Sequence, residues 1–350
     1  MKKLSLLIAL FFPFQLNALD TFQLAEDAYK KADFAQSLKL YKQVAQTSSA
    51  STLYQSQLRI IASQHMLGQY LNAAKSAYSF DLPQEELWKA RFLIYRISTA
   101  RQVQSAYSPI WPQNSQDNAS LENLSQAQWN EKITQDFEEL WKLKSTLLNA
   151  PITQENIILN IKDTDTKTIP TLFDYVVLNW TDYLLSQSEP IALSAAAAWQ
   201  DFSTENTNHK TQKALFLMQE ASRLDGKNRS DARIIWQAKA WLLPFKRPYL
   251  FSFEDQKSQY VHAAELLQGL TGYTKEKTSW WNKWKELLQN KPKSAKAYAA
   301  YEAAVLLEQA QKYQQSLELC QWAKENLGNN FYACDACAQL IQGITAPVFD

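Results

Sequence analysis

Glycine is scarce in this sequence, and its scarcity limits the backbone geometries that the chain can adopt. Only six glycines occur among 350 residues, far below the usual share of about 7%. Tight turns, β-bulges and phosphate-cradling loops depend on glycine, so few of them can form. The sequence therefore predicts an all-α protein.

The short motifs that mark common catalytic sites are also missing. The sequence has no Gly-x-x-x-x-Gly-Lys loop, no Gly-x-Ser-x-Gly elbow and no dinucleotide-binding fingerprint. Its three histidines, His65, His209 and His262, have no second histidine or cysteine at metal-ligand spacing. We therefore expect a protein that is not an enzyme and that needs neither a metal nor a cofactor.

A charge excess of one sign is absent as well. The formal net charge is +1, from 36 basic and 35 acidic residues that are interspersed along the chain. Nucleic acids and anionic surfaces select strongly basic partners. We therefore expect no nucleic-acid partner.

The amino terminus has the pattern of an export signal. Lys2 and Lys3 precede the apolar run Leu4 to Phe14, and Ala18 offers a small residue for cleavage. No later segment approaches the roughly 20 apolar residues that a membrane span needs. Residues 1–18 are therefore predicted to be a cleavable signal peptide, and the mature chain to be periplasmic or secreted, with no integral membrane segment.

Two distant segments share the tetratricopeptide pattern. In "ADFAQSLKLYKQVA" (32–45) and "QKYQQSLELCQWA" (311–323), an aromatic residue precedes Gln-Ser-Leu-x-Leu, and a weaker copy lies between them. Small residues at this spacing let two antiparallel helices approach, and aromatics fill the gap. The predicted repeat-packing positions are Ala25, Phe34, Ser37, Tyr41, Tyr70, Ala73, Ala304, Tyr313, Ser316 and Ala323.

These repeats predict an α-solenoid, or stacked helical hairpins, organised in blocks. Residues 19–104 form an amino-terminal tetratricopeptide-like block, and 105–128, with "SPIWPQNSQDNAS", form a polar linker. Residues 129–350 form a second helical block that ends in a tetratricopeptide-like hairpin. Within it, the β-branched run in 149–170 indicates an extended segment laid across helices.

The three cysteines lie near the end of the sequence. Cys334 and Cys337 form a Cys-x-x-Cys motif, but no strand precedes it and no Trp-Cys or Gly-Pro pairing surrounds it. We therefore favour a structural role over thiol catalysis. In an oxidising compartment Cys320 could be joined to either Cys334 or Cys337, which leaves one cysteine unpaired.

The tryptophans raise one alternative from the enzyme class. Trp280, Trp281 and Trp284 could form a sugar-stacking platform of a carbohydrate-active α/α protein. Trp281, Trp284 and Leu288 also fit one buried helix face. We favour the buried face.

The segment "TIPTLFDYVVLNWTDYLLS" (168–186) resembles a stretch of bacterial alpha-2-macroglobulin-like proteins that opens a helix in their amino-terminal helical region. The end of the chain is similar to the end of that region. The matching positions are Pro170, Thr171, Leu172, Phe173, Asp174 and Tyr175, followed by Cys337, Leu340, Ile344 and Pro347.

This resemblance implies a protease-trapping system of the bacterial envelope, in which a bait segment is cleaved and a Cys-x-Glu-Gln thioester captures the protease. None of the three cysteines here is followed by x-Glu-Gln. The chain ends where the first β-sandwich domain would begin, so we expect either a freestanding helical module or the front of an interrupted gene.

The predicted function is a non-catalytic exported helical scaffold related to this helical region. Its expected partners are proteins: macroglobulin-like domains, proteases or envelope proteins. The alternative is a periplasmic tetratricopeptide-type adaptor for envelope or secretion machinery, which depends on the repeats alone.

Overall fold

The computed structural model describes residues 18–47, 50–107, 120–159, 166, 168–188, 193–200, 209–226, 228–272 and 293–327. Within these residues the chain is mostly helical, with thirteen α-helices and two short strands. The predicted all-α class is therefore confirmed. None of the described helices combines the length and the apolar character needed to cross a membrane.

The chain divides into two compact units. The first runs to Lys144 and also includes Asn156–Leu159, while the second contains Ser145–Glu155 and the described residues after 160. The short segment 156–159 thus belongs to the first unit although the residues on both sides of it belong to the second.

Six helices build the first unit. In chain order they are α1 (Ala18–Lys30), α2 (Phe34–Thr47), α3 (Ala50–Met66), α4 (Tyr70–Ser79), α5 (Glu86–Tyr107) and α6 (Gln126–Lys142). Consecutive helices pack against each other along the whole series, and α3 additionally contacts both α1 and α5.

The second unit combines helices with a minimal sheet. Its α-helices are α7 (Lys144–Leu148, all but its first residue), α8 (Leu172–Ser186), α9 (Lys210–Arg223), α10 (Ser230–Lys246), α11 (Gln256–Thr271), α12 (Lys293–Gln309) and α13 (Tyr313–Leu327). The strands β1 (Leu193–Ser194) and β2 (Phe251–Ser252) pair in parallel.

Alanine dominates the core of the carboxyl-terminal helices. Six alanines of α12 are fully buried: Ala295, Ala297, Ala299, Ala300, Ala303 and Ala304. Most of them pack with Ala263 and Ala264 of α11 and with Cys320 and Ala323 of α13. Helices approach most closely where small side chains meet, so this composition explains the tight α11, α12 and α13 assembly.

Three helix-to-helix turns share one backbone geometry. Their middle residues adopt a left-handed φ, at +61° for Ala32, +72° for Gly68 and +61° for Gln311. The next residue's amide donates to the carbonyl oxygen five residues earlier: Asp33 to Ala28 at 2.9 Å, Gln69 to Gln64 at 2.9 Å and Lys312 to Leu307 at 2.8 Å. These bonds define the Schellman arrangement at a helix end.

The middle of the chain departs from the sequence-based expectations. The run "IALSAAAAW" (191–199) has helical periodicity and by itself predicts a helix, but the structure has β1 at Leu193–Ser194, followed by a 3-10 segment Ala195–Trp199. Of the predicted linker 105–128, residues 108–119 lie outside the described residues. The flanking helices α5 and α6 pack against each other within the first unit.

Candidate functional site

The helices α1 and α5 both contact α3 in the first unit. The side chains by which they meet define what we call the first-helix face. Its members are Glu26, Tyr29, Tyr54, Arg59, Trp88 and Tyr95.

An ion pair joins α1 to α3 on this face. The Nε of Arg59 donates to the Oε1 of Glu26 at 2.9 Å and its Nη2 donates to Oε2 at 3.4 Å. The guanidinium lies 4.3 Å from the centroid of the Tyr29 ring. Burial opposes the charge of Arg59, but the adjacent Glu26 carboxylate outweighs it and raises the pKa of Arg59.

A side chain of α2 orients the Glu26 carboxylate of this ion pair. The hydroxyl of Tyr41 donates to Oε1 of Glu26 at 2.6 Å, and Tyr41 is fully buried. Burial, and next the hydrogen bond to Glu26, raise the pKa of Tyr41 well above its usual value. The phenol therefore stays protonated and holds the Glu26 carboxylate in place.

The contact between α3 and α5 is apolar. Buried side chains from α3, α4 and α5 form a cluster, which we call the α3–α5 cluster: Leu58, Ile61, Ala73, Ala77, Trp88 and Phe92. The Tyr54 ring lies 5.8 Å from Trp88 and 6.1 Å from Phe92, between ring centroids. The Cζ of Arg91 lies 4.4 Å from the centroid of the Trp88 ring.

A segment from outside the six helices lies against this cluster. Ile157 and Ile158 pack on the α3–α5 cluster and are half-buried. The hydroxyl of Tyr95 donates to the carbonyl oxygen of Ile157 at 3.0 Å. Residues 156–158 form a turn, so the predicted extended conformation is wrong for these residues, although they do lie across helices.

A buried carboxyl group lies between α4 and α6. Asp136 accepts a hydrogen bond from the Tyr78 hydroxyl at 2.8 Å. The Cζ of Arg96 and the Nζ of Lys132 lie 5.2 Å and 5.3 Å from the centroid of the Tyr78 ring. Burial raises the pKa of Asp136 to about 6, against the opposing effects of Tyr78, Arg96 and Lys132. Asp136 therefore titrates close to neutral pH.

The predicted repeat positions mostly lie in helix-to-helix contacts. Fully buried among them are Ala25, Ser37, Tyr41, Ala73, Ala304, Ser316 and Ala323. The Ser37 hydroxyl lies 3.3 Å from that of Ser63 on α3, and the Ser316 hydroxyl donates to the Ala304 carbonyl oxygen at 2.9 Å.

The aromatic repeat positions differ in exposure for a local reason. Phe34 packs on Tyr29 and Tyr70 packs on His65, each pair with ring centroids 5.3 Å apart across its turn. The position equivalent to Tyr29 and His65 in the third turn is Glu308. Because Glu308 carries no aromatic ring, Tyr313 lacks the packing partner that Phe34 and Tyr70 have, and it is 48% exposed.

Three residues of the Pro-Thr-Leu-Phe-Asp-Tyr motif belong to a buried polar network in the second unit. Thr171 caps α8: its hydroxyl donates to the Asp174 carboxylate at 2.7 Å and accepts from the Asp174 amide at 3.4 Å. Asp174 also accepts from Nη2 of Arg229 at 2.8 Å and from Nε1 of Trp236 at 2.9 Å. The Arg229 guanidinium lies 4.9 Å from the centroid of the Phe173 ring.

Arg229 also donates to two carbonyl oxygens at the end of α9. Its Nη2 donates to the Ala221 carbonyl oxygen at 2.9 Å and its Nη1 donates to that of Leu224. Both Arg229 and Asp174 have fully buried side chains. The network therefore links the start of α8, the end of α9 and the start of α10.

The other motif positions lie around this network. Pro170 and Thr171 run antiparallel to residues 150–152: the amide of Ile152 donates to the Pro170 carbonyl oxygen at 3.0 Å. Leu172 is buried and Tyr175 is half-buried. Cys337, Leu340, Ile344 and Pro347 lie outside the described residues.

The disulfide predictions stay open. Cys320 is buried in the alanine-rich core, and its two candidate partners, Cys334 and Cys337, lie outside the described residues, as do Trp280, Trp281 and Trp284. In the part of the chain that the structure describes, no cluster of His, Cys, Asp or Glu could hold a metal ion.

The second unit has its own aromatic cluster, formed by Trp199, Phe245, Phe253, Tyr260 and His262. Phe245 stacks on Tyr260 with ring centroids 4.9 Å apart. The rings of Trp199 and His262 contact each other edge-on, also with centroids 4.9 Å apart. The Nε1 of Trp199 donates to the Trp241 carbonyl oxygen at 3.3 Å. Sequence reasoning did not identify this cluster because its members come from separate elements.

No protein-family model, curated protein or solved structure matches the chain. The resemblance to alpha-2-macroglobulin-like proteins therefore stays a prediction, and the candidate site depends on the geometry above.

Proposed function

We propose that the protein is a non-catalytic, exported helical scaffold whose stacked hairpins bind other proteins through the first-helix face. In this proposal the first unit is a tetratricopeptide-like stack of three hairpins, α1 with α2, α3 with α4 and α5 with α6. A stack of this kind creates an extended concave surface, and the residues that line the surface determine what it binds.

The repeated hairpin carries this proposal. The α1–α2 and α3–α4 turns have the same Schellman hydrogen bonds, and the second helix of each hairpin buries a small residue at the same position, Ser37 or Ala73. Contacts of α3 with both α1 and α5 support an ordered layer of first helices.

The composition of the first-helix face favours a protein partner. It contains Tyr29, Tyr54 and Tyr95, each half-buried, together with the Arg59–Glu26 pair. Aromatic residues and arginine are enriched where proteins bind each other. The partners that the sequence predicts are macroglobulin-like domains or proteases, and, as the alternative, envelope or secretion machinery.

Export is part of the proposal, supported by Lys2, Lys3 and the apolar run that follows them. Cleavage after Ala18 would leave nearly all of α1 in the mature chain. Mass spectrometry of the protein recovered from the envelope fraction tests this: we expect the chain to begin at Leu19.

Site-specific photocrosslinking in the producing cells tests the binding function. A photoreactive residue replaces Tyr29 or Tyr54 on the first-helix face, and the matched controls carry it at Lys39 or Lys42, which are exposed on α2. We expect the same protein to be captured from both face positions and from neither control. The identity of that protein decides between the macroglobulin-related and adaptor alternatives. Equal capture from α2 and from the face would refute the proposed binding surface.

A further inference from the structure

The segment 156–159 is joined to the first unit by side-chain contacts that resemble those of a bound peptide. It forms a turn, and it groups with the first unit although Ser145–Glu155 before it and the described residues after it group with the second. Two contacts hold it: Ile157 and Ile158 pack on the α3–α5 cluster, and Tyr95 donates to the Ile157 carbonyl oxygen.

We propose that Ile157 and Ile158 occupy, from within the chain, a site at which the first unit receives a paired-aliphatic segment of a partner protein. The inference deepens the proposed function and rests on it, because it names the chemistry recognised at the α3–α5 cluster, which shares Trp88 with the first-helix face. The partner displaces residues 156–159 and takes over their contacts.

The contacts define the ligand. The α3–α5 cluster offers aliphatic and aromatic surface from Leu58, Ile61, Trp88 and Phe92, which favours two adjacent branched aliphatic side chains. The Tyr95 hydroxyl requires a backbone carbonyl acceptor beside them. This carbonyl fixes the position of the peptide, while the aliphatic pair supplies most of the affinity.

Tethering explains how such a site stays masked without a partner. A segment on a short tether competes at an effective concentration of about millimolar, so even weak affinity keeps the site filled. Ile157 and Ile158 are only half-buried. A partner that buries its aliphatic pair more completely can therefore replace them.

Binding of a labelled peptide to the full chain tests the proposal. The probe is the capped, fluorescein-labelled peptide QENIILNI, which copies residues 154–161, and fluorescence anisotropy reports binding. The variant Ile157→Ser with Ile158→Ser empties the site, and the control variant Leu24→Ser with Met66→Ser removes two exposed apolar side chains elsewhere on α1 and α3. We expect at least tenfold tighter binding to the emptied variant than to the wild type or the control.

Two further changes identify the contacts. A probe with serine in place of the two isoleucines that copy Ile157 and Ile158 should not bind. Tyr95→Phe in the emptied variant should weaken binding several-fold, because the carbonyl acceptor loses its donor. A folded emptied variant that binds the probe no better than the wild type overturns the proposal.

Thiol labelling covers the case in which the emptied variant fails to fold. Ile158→Cys is compared with Tyr54→Cys, which is also half-buried against the cluster but lies on α3, and mass spectrometry locates the label. We expect residue 158 to react several-fold faster, since the segment opens while the helices stay folded. Equal rates would mean that the segment is an integral part of the core and would overturn the proposal.

The outcomes separate this inference from the broader function. Photocrosslinking from Tyr29 and Tyr54 can succeed while the peptide fails to bind, in which case the scaffold has partners of another chemistry. If a photocrosslinker attached at residue 158 of one copy crosslinks to Tyr95 of a second copy, the occupant is another copy of this chain, and the partner proposal is overturned.

Discussion

The side chains of Asp174 and Arg229 are fully buried, so each would be costly to leave unpaired. Transfer of a charged group from water to a protein interior is offset only when its hydrogen bonds are remade. Here Thr171, Trp236 and two carbonyl oxygens at the end of α9 complete the coordination of the pair. The network explains why the Thr171 and Asp174 positions of the motif suit the start of α8.

Replacement of Arg229 by methionine should therefore be strongly destabilising. The variant leaves the Asp174 carboxylate buried without its cation, and we expect a loss of about 3 to 5 kcal/mol in the free energy of unfolding. Urea unfolding followed by circular dichroism measures the loss. The matched control is Arg233→Met, whose partially exposed ion pair with Asp225 should contribute about 1 kcal/mol or less. Similar losses in both variants would contradict a special role for the buried network.

Asp136 should make the stability of the first unit depend on pH. The pKa of its carboxyl group is about 6 in the folded chain, above the ordinary value of 3.8. Well below pH 3.8 the group is protonated in both states. As the pH rises to about 6 the unfolded chain releases this proton first, so the Asp136 contribution to stability decreases over that interval and stays low above it.

Asp136→Asn should remove this dependence, because the amide is neutral and its oxygen still accepts from Tyr78. The variant should match the wild type at about pH 3 and exceed it at pH 7 by about 2 to 3 kcal/mol, since one pKa unit corresponds to about 1.4 kcal/mol. Urea unfolding at each pH, with Asp81→Asn at an exposed position as the control, measures the difference. A constant offset between wild type and variant at every pH would rule out titration of Asp136 as the cause.

The turns between paired helices place the same geometric demand on different residues. A left-handed φ costs an ordinary residue more than glycine, and the three turns carry alanine, glycine and glutamine at that position. No atom lies within 4 Å of a Cβ added at Gly68. An effect of substitution at Gly68 therefore reports backbone conformation rather than a clash.

Exchange of these residues should shift stability in opposite directions. Gly68→Ala should destabilise the first unit by about 0.5 to 1 kcal/mol, while Ala32→Gly should stabilise it by a similar amount, after the greater freedom of glycine in the unfolded chain is counted. Chemical unfolding of both single variants measures this. A loss of stability in both would show that the two turns are not equivalent.

The local sequence pattern identified the paired helices, but it did not identify the structure of the segments that connect them. The spacing of Phe34, Ser37 and Tyr41 indicates a helix with one packed face, and α2 has that face. The Ser125–Gln128 capping box at the start of α6 was present as Ser-x-x-Gln within the predicted linker and could have placed the helix start. For 191–199, a short alanine-rich run cannot distinguish a helix from the strand and 3-10 segment that tertiary packing selects.

Long-range partners could not be predicted from one sequence. Glu26 and Arg59, or Asp174 and Arg229, lie far apart along the chain, and nothing in their local sequence specifies the pairing. Ile157 and Ile158 show the same limit. Their β-branched run indicated a segment that crosses helices, but only the fold assigns them to the first unit, apart from their neighbours.

The division into two units predicts that the first can fold by itself. Residues 19–144 contain α1 to α6 and the buried members of the α3–α5 cluster, and their length is typical of a single domain. This fragment lacks Ile157 and Ile158. We expect it to be helical and to unfold cooperatively in urea, with the site for the paired-aliphatic segment empty.

Addition of the QENIILNI peptide to this fragment should restore the missing contacts. A ligand that binds only the folded state at ten times its Kd raises the free energy of unfolding by about 1.4 kcal/mol. Urea unfolding with and without peptide measures the gain, and the control is the peptide with serine in place of the two isoleucines that copy Ile157 and Ile158. If the fragment stays unfolded until the isoleucine peptide is added, residues 156–159 are required to build the first unit. If the fragment folds and the peptide leaves its stability unchanged, the α3–α5 cluster does not recognise an aliphatic pair in trans.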